Sequence, residues 1–214
     1  MGEGGYTCFG FASHLSNTNL LALDNNFNDL KMTEWADMVF KRNKIFGFYK
    51  NIPKRNAMVT DYIIDSNSFF NNSKMQYYIS TIDFNAYQNI GFDTHSNYSM
   101  QPPEQNEIIV RPNKYEQGRA NIIVYNWRNL ESVKIDLGRI LNKGDKFEVM
   151  DVQNYSGKPV INGVFNGDSI SIPMNLTIVE GIKGDTSGVI HKDVVLREHS
   201  SSHFGVYVLR KTEY

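Results

Sequence analysis

Three stretches of the chain align with one another without a gap: Leu21–Phe27, Val39–Ile45 and Ile63–Phe69. Each runs through a short β-prone segment to an Asn, then one further residue, then a large apolar side chain. The shared residues are Asn25, Asn43 and Asn67, spaced 18 and then 24 positions apart. One short strand per interval of about 20 residues is the pattern of a solenoid, in which each turn of chain buries its apolar face only by stacking on its neighbours. An Asn held at the same corner of every turn can donate from its amide to the amide oxygen of the next, building a ladder. The uneven spacing fits loops of different length inserted between turns on one face. Asn is abundant throughout, 24 of 214 residues, so its register matters more than its number.

The expectation for the first half is therefore a few turns of a parallel coil, with Tyr77–Thr81 as a further strand. Met32–Met38 reads as a short helix inserted between turns and capped by Thr33. From Ser96 to Asn106 the sequence is polar and holds two prolines without periodicity, which reads as a linker. The boundary falls near Gln101, giving a coil domain over 1–100 and a second domain over 101–214.

In the second domain strand signals are dense. Glu107–Val110, Ala120–Trp127, Ser132–Asp136, Phe147–Val152, Pro159–Phe165, Ser169–Ile172 and Phe204–Arg210 are all β-prone, with turns at Asn142–Asp145, Ser156-Gly157 and Asn166–Asp168. Asn166-Gly167 predicts a hairpin between Val164-Phe165 and Ser169-Ile170. Asn121–Tyr125, nearly all apolar, predicts a central strand, and Pro173 suits a strand end. Val179–Lys192, with three glycines, reads as a long surface loop. Seven short strands in this length predict a two-sheet antiparallel sandwich. The fold class is all-β: the last coils of a parallel β-helix, then an antiparallel β-sandwich. The sandwich segment is expected to fold alone. The short coil, lacking the stack a solenoid core needs, is not.

Composition closes several function classes. A formal charge of -1 provides no basic field for nucleic acid. The apolar runs are far too short to cross a bilayer. The single cysteine, Cys8, excludes an internal disulfide framework and a Cys-based zinc site, and reads as a small buried residue. The five histidines, His14, His95, His191, His199 and His203, form no His-Glu-x-x-His pattern, and no Gly-rich phosphate loop opens a helix. Neither metal nor cofactor is expected. The start Met-Gly-Glu-Gly-Gly lacks the basic and apolar regions of a signal peptide, so the chain reads as cytoplasmic or as a processed or truncated piece. The piece is the favoured expectation, because the first residues read as the middle of a fold.

The strings IIVRPNKYEQGRANIIVYNW, GDKFEVMDVQNYSGKPVINGVFNGDSISIPM and HFGVYVLRK resemble the C-terminal β-sandwich of secreted bacterial proteins built on a right-handed parallel β-helix, carbohydrate-active in type. They cover about half the chain. The resemblance implies an extracellular or cell-surface protein that meets a polysaccharide on its coil, with an upstream β-helix segment as a partner. The sandwich would then serve as cap and carbohydrate-binding accessory. If the protein is active, the resemblance implies a polysaccharide lyase or glycoside hydrolase, although no complete catalytic site is visible. A non-enzymatic protein-interaction or surface module is the alternative.

Within the coil, the candidate carbohydrate contacts are residues that charge or stacking would suit. Asp61 and Asp65 flank one strand, and Lys41-Arg42 lies on the neighbouring turn, placed to meet an acidic sugar. Trp35, Tyr49 and Tyr87 offer ring faces on which sugars stack, with Tyr77 and Tyr78 nearby. Asp83, Asp93 and His95 follow late in the half. Tyr125 and Trp127 read as core or inter-domain contacts.

Overall fold

A computed structural model describes residues 7–11, 17–70, 75–180 and 198–212, and the chain is nearly all β. It divides into two compact units, one ending at Pro103 and the other starting at Glu104. His14, Asn71, Asn72, His191 and most of the expected Val179–Lys192 loop lie outside the described residues.

The first unit contains β1 (Thr7–Phe9), β2 (Leu20–Leu23), β3 (Asn26–Phe27), β4 (Leu30–Thr33), β5 (Met38–Lys41), β6 (Lys44–Ile45), β7 (Tyr49–Ile52), β8 (Tyr62–Asp65), β9 (Ser68–Phe70), β10 (Met75–Tyr77), β11 (Ser80–Ile82), the helix α1 (Phe84–Asn89) and β12 (Asn97–Ser99). Three passes of chain, β2-β3-β4, β5-β6-β7 and β8-β9-β10, each give one strand to each of three sheets. Within β2-β5-β8, β3-β6-β9-β12 and β1-β4-β7-β10 every pairing is parallel, and β11 folds back antiparallel on β10. The register is that of the gapless alignment: Leu21 stands beside Val39 and Val39 beside Ile63, while Phe27, Ile45 and Phe69 line up one sheet further on.

Strand alternation sends one set of side chains inward. Ala22, Phe27, Leu30, Met32, Phe40, Ile45, Tyr49, Ile64, Phe69 and Met75 form one buried core. The corner between β2 and β3 repeats at β5–β6 and β8–β9. At each, the residue before the Asn adopts a left-handed backbone: Asp24 at φ 58, Arg42 at φ 54 and Ser66 at φ 60. Short polar side chains tolerate that conformation better than most. Arg42 carries a longer one, and its guanidinium holds both oxygens of Asp24 on the preceding turn at 2.8 Å.

At the far end of this unit α1 covers the last turn. Asp83 caps it, accepting from the Ala86 N–H at 2.7 Å. Tyr87 sets its ring edge-on against Tyr49, and Phe84 lies against Phe69 and Tyr98.

Several expectations are corrected. Met32–Met38 is not a helix: Met32 and Thr33 end β4, paired with β7, and Glu34 turns the chain with φ 51. Parallel pairing on a buried core outweighs the local helix signal. Tyr77–Thr81 splits into the end of β10, a turn and the start of β11. The linker reading fails over its first residues, because β12 pairs in parallel with β9. Cys8 faces solvent rather than the core.

The second unit holds β13 (Glu107–Pro112), β14 (Ala120–Tyr125), β15 (Ser132–Ile135), β16 (Lys146–Asp151), β17 (Ile161–Val164), β18 (Ile170–Pro173) and β19 (Phe204–Lys211). All seven expected strands are present. They form one antiparallel sheet in the order β13-β14-β19-β16-β17 and a second pair, β15-β18. Ile122, Val124, Val149 and Leu209 from the first sheet share a core with Val133, Ile135 and Ile172 from the second. The strand Asn121–Tyr125 is interior to its sheet, but β19 is the middle strand. The Asn166-Gly167 turn, with Gly167 at φ 100, does not close a hairpin. It carries the chain from β17 in one sheet to β18 in the other.

Candidate functional site

The aligned asparagines do form a ladder. Asn25 donates from Nδ2 to Asn43 Oδ1 at 3.1 Å, and Asn43 donates to Asn67 Oδ1 at 3.2 Å. Each receiving oxygen also takes the backbone N–H of the preceding Asn, at 3.0 and 2.9 Å. Asn43 and Asn67 donate a second time, backward to Ala22 O and Phe40 O on the turn before. Both are buried, whereas Asn25, at the outer end, is exposed.

The fourth position is not an Asn. Asn67 donates to Asp93 Oδ1 at 2.7 Å, and Ser96 Oγ donates to the same oxygen while accepting the Asn67 N–H. Asp93 Oδ2 is buried with no partner. Burial pushes the Asp93 carboxyl up to about 6, against the downward pull of Ser96 and Asn67 and with a further upward push from the charge of Asp65.

The outward side chains of the parallel sheets form rows across successive turns. Lys41 stands between Leu23 and Asp65. Asp65 accepts from the His95 N–H at 2.7 Å and meets His95 Nδ1 at 2.8 Å. Its partial burial pushes the carboxyl upward, but the His95 bonds outweigh this and hold it below its usual range. Arg42 is engaged by Asp24, whose carboxyl it holds low. Asp61 accepts from the Met58 N–H at 2.8 Å. Trp35 is half-buried, donating from Nε1 to Phe9 O at 3.1 Å.

Tyr49 and Tyr87 do not belong to any surface site. Both are fully buried, share a hydroxyl hydrogen bond of 3.0 Å, and receive an amide donor from Asn51 at Tyr87. Burial raises both phenols well above their usual range. Each sits at an inward position, so neither can stack on a sugar.

The sequence reading missed a recess on the outer face of β4-β7-β10. Lys31, Lys50 and Gln76 stand side by side in register, with Phe48 at the edge, around a hollow of about 250 Å³. Neither lysine has a carboxylate partner among the described residues. Asp29 sits near the corner, but its Oδ1 takes the Phe48 N–H at 2.6 Å and its Oδ2 the Asn28 amide. Like charges on directly neighbouring strand positions repel, so an oxyanion between them relieves a cost the free protein carries. The gapless Asn register hid the pair: Lys31 lies six residues after Asn25 and Lys50 seven after Asn43, because the chain between β6 and β7 is one residue longer than that between β3 and β4.

In the second unit His199 and Asp151 form a buried pair, Nε2 to Oδ2 at 2.9 Å, with His199 Nδ1 2.8 Å from Ser200 O. The pair ties the stretch before β19 to the end of β16. Among the described residues no group of three His, Cys, Asp or Glu is placed to hold a metal ion, and no helix is long and apolar enough to cross a membrane. Compared with protein-family models, curated proteins and solved structures, the chain finds no match.

Proposed function

We propose that the chain is the end portion of a glycan-related parallel β-helix protein, secreted or held at the cell surface, and that it binds an acidic polysaccharide. The three parallel sheets would be the three sides of the coil, and the antiparallel unit the β-sandwich that follows it. The observation that carries the reading is the recess of Lys31, Lys50 and Gln76 beside Phe48. Consecutive turns present these side chains about 4.8 Å apart, a repeating array suited to a linear polymer crossing the strands. The lysines would meet carboxylate or sulfate groups, Gln76 would donate to or accept from hydroxyls, and the Phe48 ring would take a sugar face. The proposal is one of binding, and no bond-breaking step is assigned.

Affinity electrophoresis of the purified chain in gels containing polygalacturonate, a sulfated glucan or neutral glucan tests this. The acidic polymers should retard the protein, and added salt should weaken the retardation because the contacts are exposed. The double variant Lys31→Ala/Lys50→Ala should bind at least tenfold more weakly. If no polymer retards the chain, or if the double variant binds as the parent does, the assignment fails.

A further inference from the structure

The outward rows of the parallel unit differ in kind. On β1-β4-β7-β10 the row reads Cys8, Lys31, Lys50 and Gln76, and on β3-β6-β9-β12 it reads Asn26, Lys44, Ser68 and Asn97. On β2-β5-β8 the middle row is Leu21, Val39 and Ile63. Leu21 is 67% exposed and Ile63 51%. Three aliphatic side chains in register on neighbouring strands thus face water, where the other two sheets place polar groups. They line a groove of about 360 Å³ with Asp37 and Asp61 along one border. These carboxylates immediately precede β5 and β8. Asp37 accepts the Asn19 N–H at 2.9 Å and Asp61 the Met58 N–H. Neither has a Lys or Arg partner among the described residues.

We propose that this groove docks an amphipathic α-helix of a partner protein, apolar along one stripe and bordered by Lys or Arg. The three aliphatic side chains themselves offer a sugar neither a ring face nor a hydrogen-bond donor, although Asn19 and Thr60 also line the groove. The two unpaired carboxylates select a cationic flank. Spacing selects a helix. Across three strands the row spans about 9.6 Å. A helix laid across the strands repeats its apolar stripe about every 5.4 Å, or 10.8 Å over two turns. An extended peptide repeats one face about every 6.7 Å, so three of its side chains span roughly 13.4 Å and fall out of step. The helix stays within about an ångström of the row, a mismatch that side-chain rotamers absorb.

The test uses the full chain and two fluorescent synthetic helices, each with a Leu stripe, one bordered by Lys and the other by Glu, in fluorescence anisotropy. The Lys-bordered helix should bind, with the Glu-bordered helix at least tenfold weaker and the difference shrinking in high salt. Leu21→Ser/Ile63→Ser, at two exposed positions, should lose at least tenfold in affinity while keeping the parent's melting temperature within a few degrees. Asp37→Asn should weaken the Lys-bordered helix alone. Equal binding of both helices, binding of neither, or unchanged affinity in the Ser variant would overturn the proposal. So would a concentration-dependent dimer of the chain that the Ser variant abolishes, which would assign the groove to a second copy. The polysaccharide assays above do not depend on this face.

Discussion

Asp93 stands where a fourth asparagine would continue the ladder, and its raised value, about 6 against 3.8, sets a sign for its effect on stability. The native state keeps the proton between about pH 4 and 6, where the unfolded chain has released it. Its contribution is complete below about pH 4 and is lost as pH rises through 6, on the order of 3 kcal/mol in all. Asp93→Asn should therefore raise the melting temperature at pH 7 and flatten its dependence between pH 4 and 7, as circular dichroism would show. A lower melting temperature at pH 7 would mean that the charge itself holds the end of the ladder. Asn43 is the buried middle member. Asn43→Leu leaves the Asn25 amide, Asn67 Oδ1 and Ala22 O short of partners, at about 1–3 kcal/mol for each group left unsatisfied. In urea unfolding it should cost more than Asn25→Leu at the exposed end. Residue identity made the ladder legible, because an Asn at a fixed offset from β-prone residues leaves a mark in the sequence. It did not reveal which tyrosines were buried. Tyr49 and Tyr87 differ from surface tyrosines only in which side of a strand or helix they occupy.

At the scale of elements, short strands were read well and the helix α1 was not. The strand pattern repeats three times and each copy supports the others. α1 occurs once, spans six residues, and shows too few turns for an apolar stripe to stand out. Conversely, Met32–Met38 carries a plausible cap and helix-compatible residues, but the pairing of β4 with β1 and β7 overrides them. The Asn166-Gly167 turn was found and its partner strands misassigned, since a turn sequence fixes the local bend and not which sheet receives the strand. α1 is held by packing more than by its cap. Asp83→Ala should cost about 0.5–2 kcal/mol, and Tyr87→Ala about 3–5 kcal/mol because it empties a fully buried site. Denaturant titration separates the two. Equal losses would place the anchor at the cap.

For the whole molecule, the two units obey different pairing rules. The unit starting at Glu104 joins strands far apart in sequence, β14 to β19 and β16 to β19, and closes its own core. Residues 104–214 expressed alone should unfold in one cooperative thermal transition, and a broad, non-cooperative melt would show that the segment lacks a core of its own. In the unit ending at Pro103 each pass leans on the next, so its order comes from stacking. The asparagine ladder gives that stack a direction. Each amide of the ladder gives one N–H to the side-chain oxygen on the turn after it, and this series of side-chain bonds runs one way, from Asn25 to Asp93. A duplicated turn could thus be spliced between any two existing ones with no polar group left unmatched, so growth in length by internal copying is chemically open. A turn added beyond Asp93 would instead meet a carboxylate that, once ionised, has no proton to pass on. The residue at that position acts as a stop mark for how long such a stack can become.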